Sequence, residues 1–266
     1  MESLKVRFRD WVSERFQKFD HVLVPSVPLD KFSKFVQSIV PIDNGHNLIL
    51  VGPPTDGSYF LPDDLIGVEL NISPGVGQTF QFEDALLRDH GVRSIMLDAS
   101  VDKPINLPKE IKFVKQFVVP INQSDSGISL SELIPLHLNY ELMLQMDIEG
   151  AEYEILKYIN PKDLLRFRIM AIEFHDMELW IQNAFFRRTV EPIFDKLLEH
   201  FDVVYSRANN TNHTFYYKGY FIPSALEMTF HRKDRLLFKN GYRKLPSDLD
   251  ITEAQIKPQK TPFSSR

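Results

Sequence analysis

Apolar positions along the chain fall into two rhythms. Over residues 4–19, Leu4, Val6, Phe8, Trp11, Val12 and Phe16 recur at mixed spacings of three and four among charged residues, which predicts an amphipathic helix. A second helical stretch over 29–40 follows Pro25 and Pro28. Beyond it the pattern changes to short runs rich in β-branched and aromatic residues at 47–51, 66–72, 94–97, 112–119, 142–148, 169–174 and 202–205. Helical patterns lie between them, clearest at 79–90, 151–158 and 189–200. Strands that alternate with helices across short connections predict an α/β fold with a mainly parallel sheet. The run 225–230 reads as a further strand added at an edge, antiparallel to the rest. The division expected is a helical extension over 1–45, one main domain over 46–255, and a loose tail over 256–266, where periodicity stops.

Composition narrows the possibilities. Of 266 residues, 43% are hydrophobic and 25% charged, which is ordinary for a globular chain with a sizeable core. There is no cysteine, so disulfides, thiolate zinc sites and a thiol nucleophile are excluded together. A metal could still bind through carboxylate oxygen and imidazole. No apolar run approaches the roughly 18 residues that span a bilayer, and the charged start lacks the apolar segment of a secretory signal. The expectation is a cytoplasmic protein. A net charge of −5 argues against a nucleic-acid backbone as the main partner.

Candidate chemistry gathers where strands run into turns. Between Gly67 and Glu83 the chain reads as strand, glycine turn and helix, with Gly75 and Gly77 flanking Val76. In an open parallel sheet ligands bind beyond the carboxyl ends of the strands, and glycine there lets backbone approach a ligand. Gly91 is placed to end the following helix. Asp98, 21 residues after Gly77, closes the next strand at the spacing of an acid that accepts from a ribose diol; it reads equally well as an ordinary turn residue. Phe80 occupies the position of the third glycine of a dinucleotide fingerprint, which disfavours NAD and leaves an adenosine ligand without pyrophosphate.

The segment from Leu142 to Leu156 carries an apolar strand into Asp147, Glu149, Gly150 and Glu152. The next strand ends in Glu173 and His175. By the two-residue strand period Asp147 and Glu149 share a face, as do Glu173 and His175, and parallel neighbours bring the four together. Such a cluster suits proton abstraction, because burial and like charges drive pKa values apart, and it suits a divalent cation equally. His175 alone reads as a structural or as a catalytic histidine. The aromatic stretch Phe215 to Phe221 reads as core packing or as an acceptor wall, and Trp180 with Phe185 and Phe186 as a lid or a helix face.

The hexapeptide Asp147-Ile-Glu-Gly-Ala-Glu152 resembles the FkbM-like branch of class I S-adenosylmethionine-dependent methyltransferases. The likeness extends to Asp56-Gly-Ser-Tyr-Phe-Leu-Pro62, to Ser73-Pro-Gly-Val-Gly77 with Phe82-Glu83 behind it, to Glu173-Phe-His175, to Asn209-Asn210, and to Pro223 with Leu226-Glu-Met-Thr-Phe230, over roughly residues 47–232. The sequence departs from that pattern at Arg207, where relatives often carry histidine, and at Ser58, which replaces a glycine. The resemblance implies a Rossmann-like, mostly parallel seven-stranded sheet with helices on both faces. It implies S-adenosylmethionine at the strand ends, held by Asp56, Gly57, Ser58, Gly75, Val76, Gly77, Asp98, Ala99, Asn122 and Asp147. It also implies O-methylation of a sugar, glycan or glycan-linked metabolite, with His175 and Glu173 as first candidates for the base and Asp147 and Glu149 as second. Two rivals stand beside this reading: a Rossmann enzyme with another nucleotide cofactor, and a non-catalytic interaction module.

Overall fold

The computed structural model describes residues 23–53, 57–135, 140–209 and 214–243. The helix expected over 4–19, Asp56, Asn210 and the tail from 256 lie outside them. In chain order the strands are β1 (Leu48–Val51), β2 (Tyr59–Pro62), β3 (Val68–Pro74), β4 (Arg93–Leu97), β5 (Ile111–Val114), β6 (Glu141–Met146), β7 (Phe167–Phe174), β8 (Phe201–Ala208), β9 (Thr214–Tyr217), β10 (Tyr220–Pro223) and β11 (Leu226–Arg232). The helices are α1 (Leu29–Ser38), α2 (Gln81–His90), α3 (Leu130–Leu133), α4 (Glu152–Tyr158), α5 (Pro161–Leu164), α6 (Asn183–Phe185) and α7 (Glu191–His200).

Seven strands form one sheet in the order β5-β4-β3-β6-β7-β11-β8. Pairings from β5 through β7 are parallel, and β11 runs antiparallel to both β7 and β8. This is the mostly parallel Rossmann-like sheet expected. The last strand corrects one expectation: it is antiparallel, yet it lies inside the sheet, with β8 at the edge. Its inner position follows from its side chains. Leu226, Met228 and Phe230 face one layer, and Glu227, Thr229 and His231 the other, all buried, so no face is left for solvent.

Two further differences concern strand ends. The run 47–51 does not join the main sheet; it pairs with β2 as a separate two-stranded ribbon. The strand expected over 112–119 stops at Val114, where the Gln116 N–H turns back to the Val114 carbonyl. Glycine at the end of α2 behaves as expected: Gly91 is left-handed (φ 70°), and its N–H caps the last turn.

Alternation along the strands sorts the core into two layers. Leu142, Leu144 and Met146 of β6, with Met170, Ile172 and Phe174 of β7, pack against α1, α4 and α7. Met143, Ile169 and Ala171 face the opposite way, against α2 and the β1–β2 ribbon. Helices therefore cover both faces. That second layer also takes the polar residues of the same period: Asn71, Ser73, Gln145, Glu173, Glu227 and Thr229 are all buried. Several of them are paired laterally. Gln145 Nε2 donates to Tyr59 Oη (2.8 Å), Ser73 Oγ lies between Gln145 Oε1 (2.5 Å) and Glu83 Oε1, and Thr229 Oγ1 donates to the Phe60 carbonyl (2.7 Å). A buried hydroxyl or amide costs free energy unless paired, so this seam fixes how the ribbon and α2 seat on the sheet.

The aromatic residues on either side of α6, Trp180 and Phe186, belong to the core. Trp180 is fully buried among Phe35, Phe174 and Phe194, and its indole N–H donates to Tyr153 Oη (2.7 Å). Phe35 of α1 meets Phe186, Phe194 and Trp180 edge-on at centroid distances of 5.0, 5.2 and 5.5 Å. Truncation of such a ring leaves a cavity that neighbours on three elements cannot fill. Phe35→Ala is expected to lower the unfolding free energy by about 3 kcal/mol in a urea titration, whereas the exposed Leu23→Ala should change it by less than about 0.5 kcal/mol.

Candidate active site at the carboxyl ends of the strands

The glycine turn leaves β3 toward β4. Gly75 donates its N–H to the Leu97 carbonyl (2.9 Å), and the Asp147 N–H reaches the Pro74 carbonyl (3.3 Å), so the ends of β4 and β6 clamp it from both sides. Gly75 has φ 82°, and a Cβ there would sit 1.6 Å from the Asp147 carbonyl oxygen. Glycine is required at this position by the close passage of the β6 backbone. Gly77, at φ 57°, has open space where a Cβ would point, which is the condition for a ligand to approach. Its N–H donates to Asp98 Oδ2 (3.0 Å), while Asp98 Oδ1 accepts from the N–H and Oγ of Ser100 (2.8 and 2.6 Å). Asp98 thus ties the glycine turn to the end of β4. Val76 and Ala99 are half-buried beside these residues, and Asn122 is exposed on a 3-10 turn (Ile121–Ser126). Gly57 and Ser58 precede β2, whose Tyr59 ring packs 5.1 Å from that of Phe82 in α2.

The second half of the site is built around His175. Beyond β6 the chain turns through Glu149 (φ 56°) and Gly150 (φ 102°), both left-handed, and this reversal feeds α4. Glu152, fully buried, holds the turn. Its Oε1 accepts from the Ile148 N–H (3.0 Å) and pairs with His175 Nδ1 (3.0 Å). The imidazole is thereby aimed so that Nε2 faces three more carboxylates: Asp147 Oδ1 at 3.5 Å, Glu149 Oε2 at 3.6 Å and Glu173 Oε1 at 4.0 Å. The four residues expected to converge do converge. Tyr153 Oη donates to the His175 carbonyl (2.5 Å) and fixes the backbone at that point.

Neighbouring strands extend the cluster. In the sheet register Glu173 lies opposite Glu227, and Glu227 opposite Arg207. Arg207 Nη2 donates to Glu227 Oε2 (2.9 Å), and Asn209 Nδ2 to Glu173 Oε1 (2.7 Å). Glu152, Glu227 and Tyr59 were not singled out from the sequence as site residues. Glu152 had a signal, since it closes the acidic hexapeptide on the first turn of a helix. Glu227 arrives through sheet pairing, and Tyr59 through the seat of the β1–β2 ribbon against Gln145.

Charge crowding sets the protonation of the cluster. Burial raises the Asp147 carboxyl to about 7, and the neighbouring charge of Glu173 pushes the same way. Burial opposes the charge on His175, but the hydrogen bond and charge of Glu152, with Asp147 and Glu173, outweigh it and raise the imidazole to about 9. At neutral pH His175 is an imidazolium, and Asp147 titrates close to neutrality. Burial likewise lifts Glu83 to about 7, and it places the Tyr59 phenol well above its ordinary value with help from the charges of Asp147, Glu227 and Glu173. Asp147 Oδ1 is buried, 3.5 Å from His175 Nε2, and accepts no hydrogen bond among the described residues, so it is an acceptor with unused capacity. Asp147, Glu173 and His175 each offer one ligand atom within 4.8 Å of the others, and could hold a divalent cation.

A second group with metal-ligating residues, His46, Asp64 and His231, sits away from the strand ends. There Asp64 is already engaged by Arg235 through two hydrogen bonds (2.7 and 2.8 Å) and by Arg168, and His231 Nδ1 accepts from Asn44 (2.8 Å). Guanidinium groups fill the place a cation would take, and this group reads as an anchor for the segment after β11.

No family model matches the chain, and no curated protein does. Among solved structures it is similar to TrmK of M. capricolum in complex with S-adenosyl-homocysteine, at 12% identity over 72% of this chain and 74% of that one, with a TM-score of 0.34. It is similar also to a fibrillarin/Nop5p complex (11%, 73% and 98%, TM-score 0.36) and to the human methyltransferase 10 domain containing protein (16%, 79% and 85%, TM-score 0.32). Likeness of this degree assigns no activity. No described helix is long and apolar enough to cross a membrane.

The raised pKa of His175 has a direct consequence for stability. A group whose folded-state pKa lies above its unfolded value stabilises fully below the unfolded value, and that contribution is lost as pH rises to the folded one. For His175 the window runs from about 6.5 to about 9. The melting temperature is therefore expected to fall across that window, and His175→Gln should flatten the decline in differential scanning calorimetry. A slope unchanged by the substitution would remove His175 as its source.

Proposed function

We propose that this chain is an S-adenosylmethionine-dependent methyltransferase that acts on a hydroxyl oxygen of a small polyol, sugar or glycan-linked metabolite. The observation that carries the proposal is the convergence of two halves at the ends of β3, β4, β6 and β7. One is a glycine turn tied to a strand-end aspartate, and the other a buried carboxylate–imidazole cluster with an unused acceptor. Support for the cofactor is the resemblance of the acidic hexapeptide and the glycine turn to the FkbM-like methyltransferases, together with the fit of the residues present. Open space at Gly77 admits a ligand beside the backbone, Asp98 stands where a ribose would be met, and Asp147 Oδ1 can accept from an ammonium group. Bound there, the cofactor supplies an electrophilic methyl group.

The chain's own part is to orient an acceptor and remove its proton. A hydroxyl is a poor nucleophile while protonated, so a base with a pKa near the working pH helps most. Asp147, at about 7, fits that role better than His175, which at about 9 already carries a proton. We therefore place Asp147 first as the base, reversing the order expected from sequence. His175⁺ holds the carboxylates of Asp147, Glu149 and Glu173 in one place, and Glu152 orients it. The left-handed conformation of Glu149 and its high exposure (side chain 88% accessible) put its carboxylate at the mouth of the site, where it can meet acceptor hydroxyls. Much of the rate would come from the fixed geometry. Five carboxylates (Asp147, Glu149, Glu152, Glu173 and Glu227) against Arg207 and His175⁺ make a field that repels phosphodiesters, which supports a small-molecule acceptor over nucleic acid. The ligand set of Asp147, Glu173 and His175 favours a second reading, in which a divalent cation orients an acceptor diol.

Calorimetric titration with S-adenosylhomocysteine, with NAD and a nucleotide-sugar as controls, tests the cofactor. Micromolar binding of the first alone is expected, with Asp98→Asn weakening it by about tenfold. Preference for a control, or binding to none, would overturn the proposal. In an acceptor screen Asp147→Asn should abolish methyl transfer, and it should also weaken S-adenosylhomocysteine binding by about tenfold, because the charge that meets the ammonium group is lost. Chelator sensitivity would separate the cation reading from the base reading.

A further inference from the structure

The helical segment that begins with α6 continues through a π-helical turn (Phe186–Val190) into α7. The wide turn has a cause in the sequence. Pro192 has no N–H to offer the carbonyl of Arg188, four residues earlier, and its ring crowds that carbonyl, so the helix opens by one residue there. Phe186, Thr189 and Val190 point into the core. The opposite face presents Asn183, Ala184, Arg187 and Arg188 around a cavity of about 350 Å³. That volume falls in the range of small-molecule sites.

Among the described residues neither arginine has a carboxylate partner, and the reason is specific. On a helix each would look for a carboxylate three or four residues away. Toward the N-terminus those positions hold Asn183, Ala184 and Phe185, which are uncharged. Toward the C-terminus the sole acid is Glu191, four residues from Arg187 and three from Arg188. Glu191 is taken by Lys31 of α1, whose Nζ lies 2.6 and 2.7 Å from its two oxygens. No other described carboxylate pairs with either arginine. In an acidic protein, two adjacent guanidinium groups with no counter-ion among the described residues, lining one cavity beside a carboxamide, form a receptor for an anion.

We propose that this cavity is a binding site for the phosphate of a small phosphomonoester. Two guanidinium forks match a dianion better than the single charge of a carboxylate, and Asn183 can meet a neighbouring hydroxyl. The site stands independently of the methyltransferase reading, because none of its residues belongs to the strand ends. Lys31 is its positioning residue: by holding Glu191 it keeps the arginines free.

Isothermal titration with ribose 5-phosphate, inorganic phosphate, glucuronate and ribose tests this. Saturable binding of the two phosphates is expected, with glucuronate weaker and ribose silent. The exposed pair Arg187→Gln/Arg188→Gln should fold as the parent does and lose at least about tenfold in phosphate affinity. Its affinity for S-adenosylhomocysteine should stay unchanged, which separates this site from the other. Lys31→Gln should weaken phosphate binding by releasing Glu191 onto the arginines, and Lys31→Gln/Glu191→Gln should restore it. An absent response to both phosphates, glucuronate binding as tightly as they do, or equal affinity in the arginine double variant would overturn the proposal.

Discussion

One buried carboxylate organises the acidic end of the sheet. Glu152 receives the N–H of Ile148 and the Nδ1 of His175 on the same oxygen, and so joins the turn after β6 to the end of β7. Without that link Asp147 and Glu149 would be ordinary turn acids free to point into solvent, and Glu173 would lack a positive neighbour. With it, four carboxylates share one imidazolium. The arrangement is costly in desolvation and holds because every charge has a defined counterpart or hydrogen bond. The left-handed backbone at Glu149 and Gly150 is part of the same constraint, since the chain must reverse within three residues to bring Glu152 back beneath Ile148.

The rest of the molecule supports that end through its two unlike layers. Against α1, α4 and α7 the sheet is apolar, and aromatic edges interlock around Trp180. Against α2 and the β1–β2 ribbon it carries the seam of Ser73, Gln145, Tyr59 and Glu83. Apolar contact alone would let α2 settle in several registers, whereas hydrogen bonds between buried partners admit one. The glycine turn depends on that register, because it leads directly into α2. The glycine turn on one side and the acid cluster on the other therefore share β6, through Gln145 and Asp147 two residues apart.

Much of this was legible in the sequence. Alternation of apolar runs with helical patterns located the strands of the parallel half, and the strand ends named Asp147, Glu149, Glu173 and His175, although Glu149 reaches the others through a left-handed turn beyond β6 and not through the two-residue strand period. What was not legible came from pairings between distant segments. Nothing local says that β11 enters between β7 and β8, since an apolar strand with polar residues at alternate positions reads like an edge. Glu227 and Arg207 reach the site only through that insertion. Tyr59 comes from a ribbon outside the sheet. Gly75 shows a subtler gap: its sequence does not reveal that the β6 backbone passes so close that a Cβ would sit 1.6 Å from the Asp147 carbonyl oxygen. Protonation was equally out of reach, because His175 becomes a cation only once Glu152 is beneath it.

The inserted position of β11 also bears on how the chain assembles as it leaves the ribosome. Among the described residues β8 pairs with β11 and with no other strand of the sheet, and β7 has β11 as its outer neighbour. Until residues 226–232 have emerged, the nascent chain holds β7 with one flank unpaired and β8 without a partner, both lined with large apolar side chains. The growing sheet is thus a surface open to chaperones, or to a second nascent chain, while the stretch between β7 and β11 is being made. Its closure comes late, in a single step that inserts one strand between two already made.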